Sequence, residues 1–517
     1  MGWILICFNR MILYTSQYNQ TLAMCNLPHS VYSVEGVRQV DCAAIEGLGI
    51  PGYTLMTSAA MESLDAAISL FPDARHWQVI CGAGNNGGDG YVLARLAAQR
   101  GISVSVTALT SPEKLDGDAA TAHADFVADG GRVESWEGSV DTHVDMIVDA
   151  MLGSGLMRDV ESQYADVVNA INSHASPVMS LDIPSGLDGD SGVIRGVAVC
   201  ADLTVTFVGL KTGLFLNDGP DCVGELRFSD LQIPRKCYEN SEERLRIIDY
   251  AEFRNVMPPR DQSAHKGDFG HLLLIGGGPG MPGAIRLAGE AALRCGAGRV
   301  SIATHPSHLA AITSGRPELM CHAIDKPSAV RTLLETVDTL ALGPGLGTAK
   351  WGQDLFNEVL NSELPMVVDA DGLNLLARSP IRRDSWILTP HPGEAARLLD
   401  TSVASIQEDR LGAIGKLTDK YGGTVVLKGA GTLISALDSA PWMSASGNPG
   451  MAAPGMGDVL TGVVAALLAQ GMSFETAAAF GVEIHALSGD RAAKSGQRGL
   501  IASDVLQELR PLVNPKG

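Results

Sequence analysis

The sequence predicts an α/β protein of two units, each a mainly parallel sheet covered by helices on both faces. Three observations carry that prediction. The chain has 517 residues, whereas a single hydrophobic core usually stops growing near about 250–300 residues. Short apolar runs alternate with amphipathic stretches from Trp77 to Phe207, and the same rhythm restarts after a charged segment. Glycine reaches 59 residues while aromatics are only 5%, a balance that suits a chain with many strand-to-helix turns.

In the first half, Gln78–Cys81, Ile102–Ala108, Met146–Val148 and Val178–Leu181 read as buried strands, with helices over Tyr91–Gln99, Ala119–Ala128 and Ala165–Ile171. Strand, helix, strand implies a parallel sheet whose ligands sit on loops leaving the carboxyl ends of the strands. The polar run Ile233–Arg246 reads as the linker. Beyond it come strands His271–Ile275, Arg299–Ala303, Thr339–Leu342, Met366–Val368, Trp386–Leu388 and Thr424–Leu427, a helix over Ala284–Cys295 and an alanine-rich helical end. The expected division is an extension over residues 1–32, a first domain over 33–235, a linker over 236–246 and a second domain over 247–517. Met1–Tyr14 is apolar around Arg10, too short for a bilayer and without a small-residue cleavage site. With Met11 and Met24 downstream, it reads as an over-extended start or a disordered extension.

Composition excludes some partners. The formal net charge of −20 repels nucleic acid and anionic membrane, and Lys and Arg are scattered along the chain. A phosphorylated ligand must then be held by backbone N–H groups, a helix N-terminus or a cation. None of the nine cysteines forms a Cys-x-x-Cys pair or shows zinc-ligand spacing. That usage fits a reducing compartment, so the expected location is cytoplasmic.

The first candidate site follows strand Gln78–Cys81, in Gly82-Ala-Gly-Asn-Asn-Gly-Gly-Asp89-Gly90. Glycines let the backbone approach a ligand and present N–H groups, and a helix start favours an anion. A tight turn with Asp89 as helix cap would explain the glycines alone, but not the side-chain carbonyls of Asn85 and Asn86. Asp149 closes another strand before Gly153-Ser-Gly-Leu-Met-Arg-Asp159, and Asp182 and Ser185 close a third in Leu181-Asp-Ile-Pro-Ser-Gly186. Neighbouring strand ends converge on one crevice, so Asn86, Asp149 and Ser185 could share a hard cation through oxygen.

The strings NNGGDG, VDAMLGSG and LDIPSGLDGD resemble the YjeF N-terminal domain, the NAD(P)H-hydrate epimerase family, over roughly Ser33 to Pro234. The resemblance implies a Rossmann-like three-layer sandwich. It also implies substrate contacts from Asn85, Asn86, Gly87, Gly88, Asp89, Gly153, Ser154, Gly155, Leu156, Met157, Arg158, Asp159 and Asp182. Potassium is implied at Asn86, Asp149 and Ser185, and Asp182 as catalytic acid/base. Epimerising a hydrated dihydronicotinamide at its hydroxyl-bearing carbon needs a proton-shuttling group there, and anchoring the remote phosphates positions the reacting ring.

In the second half, Gly276-Gly-Gly-Pro-Gly-Met-Pro-Gly283 departs from the dinucleotide fingerprint in spacing and prolines, and reads as a substrate-lining turn. Gly455-Met-Gly457 should expose N–H groups at a helix N-terminus, an anion hole with Asp458 at the helix start. An N-cap role for Asp458 is compatible with that. Lys428-Gly-Ala-Gly-Thr432 follows a strand, a common hairpin pattern that can also embrace phosphates. Gly343-Pro-Gly-Leu-Gly347, Asp369-Ala-Asp-Gly-Leu-Asn374 and Thr389-Pro-His-Pro-Gly-Glu394 each end a strand on the same expected edge.

These strings resemble the ribokinase-like YjeF C-terminal domain, the ADP-dependent NAD(P)H-hydrate dehydratase family, over about Tyr250 to Leu512. The resemblance implies a ribokinase-like α/β sandwich, with substrate contacts from Ala284, Gly345, Gly347, His391 and the catalytic Asp458. Nucleotide contacts are implied from Lys428, Gly429, Ala430, Gly431, Thr432 and Gly457. The whole chain is then expected to epimerise R and S forms of NADHX and NADPHX and to dehydrate the S form with ADP. Its expected ligands are K+, ADP with Mg2+, and the two hydrates; a homo-oligomer stays open. The rival reading is a vitamin-precursor kinase of ribokinase-like fold fused to a non-catalytic dinucleotide-binding module; it explains Asp458 but gives the first domain no chemistry.

Overall fold

The computed structural model describes residues 27–435 and 439–514, with the side chains of 253–255 excepted. The apolar opening Met1–Tyr14 lies outside the described residues. The chain divides into two compact units, Met1–Leu245 and Arg246–Gly517.

The first unit begins with β1 (Ser30–Tyr32), so the expected extension already carries a strand at its end. The strands that follow are β2 (His76–Cys81), β3 (Ser103–Ala108), β4 (Val133–Ser135), β5 (Met146–Ala150), β6 (Val178–Leu181), β7 (Leu203–Phe207), β8 (Leu210–Lys211) and β9 (Glu225–Ser229). Seven of them form a sheet in the order β4-β3-β2-β5-β6-β7-β9, with every pairing parallel. The short β8 pairs instead with β1. Burial on both faces explains the near-continuous apolar runs. Along β5, Met146, Val148 and Ala150 enter one core while Ile147 enters the other, the period of two that a strand imposes. The order reverses between β2 and β5, so the loops after these two strands flank a crevice, the usual ligand position in such sheets.

Among the helices, α1 spans Gly52–Leu70 and α2 spans Asn85–Gln99. The structure corrects the helix start expected at Tyr91 and the Asp89 cap, because α2 starts at Asn85 and the asparagines and Asp89 lie on its first turns. Packing explains the glycines there. A Cβ on Gly87 would sit 2.2 Å from the Gly82 carbonyl oxygen, and one on Gly90 2.6 Å from the Ala150 Cβ.

The segment expected as a linker carries a 3-10 turn over Arg235–Tyr238 and β10 (Glu243–Ile247). Cys237 and Leu245 are buried, and those apolar anchors order a run whose composition reads as exposed. The second unit continues with β11 (His271–Ile275), β12 (Arg299–Thr304), β13 (Met320–Ala323), β14 (Thr339–Leu342), β15 (Met366–Val368), β16 (Trp386–Leu388), β17 (Thr424–Leu427), β18 (Thr432–Ser435) and β19 (Trp442–Ser444). Their order is β13-β12-β11-β14-β15-β16-β17-β18-β19-β10, parallel as far as β17 and antiparallel through β18 and β19. The helices that bear on the site are α3 (Pro282–Arg294), α4 (Pro392–Leu399), α5 (Arg410–Tyr421), α6 (Met456–Ala469) and α7 (Phe474–Ala492). Helix α6 is buried along nearly its whole length, packed with α3 and α7 in one core. No helix among the described residues is long and apolar enough to cross a membrane.

Candidate active sites

At the crevice of the first unit lies a cavity of about 1210 Å³, lined by Asn85, Asn86, Asp89, Asp182 and the Gly153–Asp159 loop with the exception of Met157. Helix α2 opens on Gly84 with no side-chain cap, so its first-turn N–H groups are left for a ligand. Met157, in the loop beside it, is 90% exposed, unusual for so apolar a side chain.

Asp182 adopts φ +65, a left-handed conformation that costs strain outside glycine and that Asp tolerates better than most residues. Its Oδ1 accepts from the ammonium of Lys211, which also donates to Thr206 Oγ1 and the Phe207 carbonyl, each at 3.0 Å. Lys211 is 1% exposed. Two further acids share this cavity. Burial, then repulsion from Asp182, lifts Asp41 to about 6. Burial, then Asp182 and Asp41, holds Asp89 well above the usual carboxylate range. Asp41 escaped sequence reading because no glycine signal marks it, and Lys211 was passed over although it stands between Gly209 and Gly213 just past a buried strand.

The three oxygen ligands expected for a cation come together in part. The buried Asp149 Oδ2 accepts from Ser180 Oγ and the Ser185 N–H, each at 2.8 Å, and Oδ1 accepts from Ser185 Oγ at 2.6 Å. Burial raises the Asp149 pKa against these bonds. Asn86 is buried, and both its amide nitrogen and its amide oxygen lack a hydrogen-bond partner. An orphaned buried amide is costly, and this one sits where a Cβ on Gly153 would reach its Cβ at 3.4 Å. An amide oxygen, a hydroxyl and a carboxylate suit a hard cation. Among the described residues no cluster of three or more His, Cys, Asp or Glu side chains suits a metal.

In the second unit the loops after β11 and β14 meet: a Cβ on Gly345 would lie 3.2 Å from that of Ala284. Gly347 donates its N–H to Asp371 Oδ2 at 2.8 Å. Lys428, at the end of β17, donates to Asp369 Oδ1 at 2.8 Å and lies 3.8 Å from Glu394. Thr461 Oγ1 holds the other Asp369 oxygen at 2.6 Å. Against the pull of burial, Lys428 keeps the Asp369 carboxyl below its usual range. Burial lifts Glu394 to about 7, with Lys428 opposing. A Cβ on Gly457 would meet Lys428 Nζ at 3.5 Å, so the expected anion hole and the lysine are neighbours.

Helix α6 opens on Gly455 at φ +88 with no side-chain cap. That corrects the N-cap alternative for Asp458, which is the third residue of the helix; glycine takes the cap because the backbone there is left-handed. Burial, then repulsion from Asp369, lifts Asp458 to about 7. His391 caps α4, its Nδ1 accepting from the Gly393 N–H at 3.0 Å. Burial, then the nearby Lys428, lowers its pKa, so it is neutral at pH 7. Asp369 and Glu394 are the acids that sequence reading passed over, although both lie inside strings it singled out.

Comparison with known proteins covers both units. Residues 52–213 match the YjeF-related protein N-terminus family, and residues 272–511 match the NAD(P)H-hydrate dehydratase family. The bifunctional NAD(P)H-hydrate repair enzyme Nnr of Coxiella burnetii is 44% identical over 94% of this chain and 99% of its own length. The enzyme of the same name from Escherichia coli is 42% identical over 95% of each. A ribokinase-like superfamily protein of Enterococcus faecalis superimposes with a TM-score of 0.50 at 27% identity, covering 53% of this chain and 96% of that one. Similarity of that level through both sites, over nearly the whole length of the relatives, means that the chain belongs to the family of bifunctional NAD(P)H-hydrate repair enzymes.

Proposed function

We propose that the first unit interconverts the R and S forms of NADHX and NADPHX, and that the second returns the S form to NADH or NADPH at the expense of ADP. The observation that carries this reading is a pair of separate sites, each setting a carboxylate–lysine pair beside a helix start with no side-chain cap. In the first, Asn85–Asp89 and Gly153–Asp159 anchor the dinucleotide, and Asp182 moves a proton at the hydroxyl-bearing carbon. In the second, the hydrate rests on Ala284, Gly345, Gly347 and His391, and the nucleotide on Lys428–Thr432 and Gly457.

The chemistry of the second site balances. Asp458 takes the proton of the hydrate's hydroxyl as its oxygen attacks the terminal phosphorus of ADP, and AMP leaves. The new phosphate ester departs as the ring nitrogen's lone pair forms an iminium, and loss of a neighbouring proton restores the dihydropyridine. Magnesium arriving with the nucleotide would neutralise phosphate charge. Asp369 is saturated by Lys428 and Thr461 and Asp458 serves as the base, so Glu394 is the acid left to fit the ion. Mixing the protein with prepared hydrate, with and without ADP, and following the return of dihydronicotinamide absorbance tests the reading. An absence of ADP-dependent return would reject it.

Two expectations follow from the division of labour and from the orphaned amide. A fragment beginning at Glu243, with β10 whole, should dehydrate S-NADHX alone, and one ending at Glu242 should only epimerise. A folded C-terminal fragment that consumes both isomers equally fast would place epimerisation in the wrong unit. Potassium held by Asn86, Asp149 and Ser185 would satisfy the Asn86 amide oxygen and add a fixed positive charge near the substrate phosphates. A crystal soaked in rubidium should show anomalous density among these three side chains. A clean map there removes the site.

A further inference from the structure

Arg410 has a guanidinium that neither site has used. It is 3% exposed and begins α5, whose cap is Asp409 through the Gly412 N–H at 2.8 Å. A helix N-terminus disfavours a cation, and a buried charge is costly unless paired. Among the described residues no carboxylate forms an ion pair with Arg410. Its partners are backbone carbonyls of the Lys428–Thr432 hairpin, that of Ala430 and, at 2.9 Å, that of Gly431, and the carbonyl of Leu427 at the end of β17, at 3.5 Å. Its Nε has no partner at all. Burial lowers its pKa only to about 10, so it is charged at neutral pH.

We propose that Arg410 is a positioning residue for the nucleotide, pinning the hairpin from beneath so that the Ala430 and Gly431 amides face the phosphates, whose charge compensates the buried guanidinium. The peptide plane supplies the geometry. In a trans peptide the carbonyl and the following N–H point in opposite directions, so a carbonyl of Ala430 turned to Arg410 turns the Gly431 N–H away from it. Gly431 at φ +62 and Gly429 at φ +149 permit that course, and a Cβ on Gly429 would come within 3.0 Å of the guanidinium. The inference rests on the assignment of this hairpin to the nucleotide.

Calorimetric titration of the full-length protein with ADP and with adenosine separates the possibilities. Arg410→Met should weaken ADP about 10- to 100-fold, the range for losing hydrogen bonds to a charged group, while adenosine changes little. Arg410→Lys should keep most of the preference for ADP over adenosine. Equal weakening of both ligands, or unchanged ADP affinity, would overturn the proposal. Gly431→Val, forced into the left-handed region, should also weaken ADP; if it does not, the hairpin assignment fails and the role of Arg410 with it, whereas weakening by Gly431→Val beside an unchanged Arg410→Met sinks the role of Arg410 alone. Epimerisation and a melting curve check folding. Where Arg410→Met melts before titration, Arg410→Gln, neutral but still a donor, makes the same comparison.

Discussion

Asp458→Asn is expected to slow the ADP-dependent return of S-NADHX by at least about 10²-fold, the lower bound for a lost general base. The side chain stands on the third residue of α6, beside the Gly455 cap and within the field of Lys428 and Asp369. Its pKa near 7 sets the pH profile. The base form grows as pH rises, so turnover at saturating ADP should climb through about pH 7 and then level. The mutant should lose that limb. Stability moves the other way. A carboxyl whose pKa is raised on folding binds its proton more tightly in the folded state, so its contribution is largest at low pH. That contribution is lost as pH rises from the unfolded value toward 7. Above pH 7 the ionised, half-buried carboxylate costs stability, and the amide should hold or raise the melting temperature. ADP affinity should change little, because the hole is built from backbone N–H groups. Near-normal turnover, or a mutant that still climbs through pH 7, would move the base elsewhere.

The sheets and their active edges were legible because buried strands write themselves as apolar runs, and β17 and β6 begin and end where the pattern put them. Ends were less legible. Asn85 and Asn86 belong to α2 rather than to a loop, because glycine in a helix usually signals a break, and here it relieves contact with Gly82 and Ala150. The residues that escaped notice act across the fold. Lys211 and Asp41 reach the cavity of Asp182 from other parts of the chain, and Arg410 reaches Gly431 of its hairpin across a separation of 21 residues. Charge paired through space leaves no periodicity, so only a placement such as Lys428 against Asp369 reveals it. The polar run Ile233–Arg246 misleads in the opposite sense, since it buries Ile233, Cys237 and Leu245 and carries a 3-10 turn and most of β10.

Asp182→Asn should reduce epimerisation by about 10²- to 10⁴-fold while leaving dehydration of the S isomer intact. The assay is R-NADHX with excess ADP. The wild-type protein should return all of it, and the mutant only what crosses spontaneously to the S form. Asn suits the backbone, because at φ +65 it tolerates the left-handed region as Asp does. Charge is the harder matter. Removing the carboxylate strips the ionic partner from Lys211, 1% exposed, and an uncompensated buried charge costs about 3–5 kcal/mol. A fall in activity could then follow from a loosened fold. The double substitution Asp182→Asn with Lys211→Met removes both charges and should recover melting temperature without recovering epimerisation. Activity that returns with stability would make Asp182 a structural counter-ion and leave Asp41 or Asp89, the other two acids of that cavity, as the proton carrier.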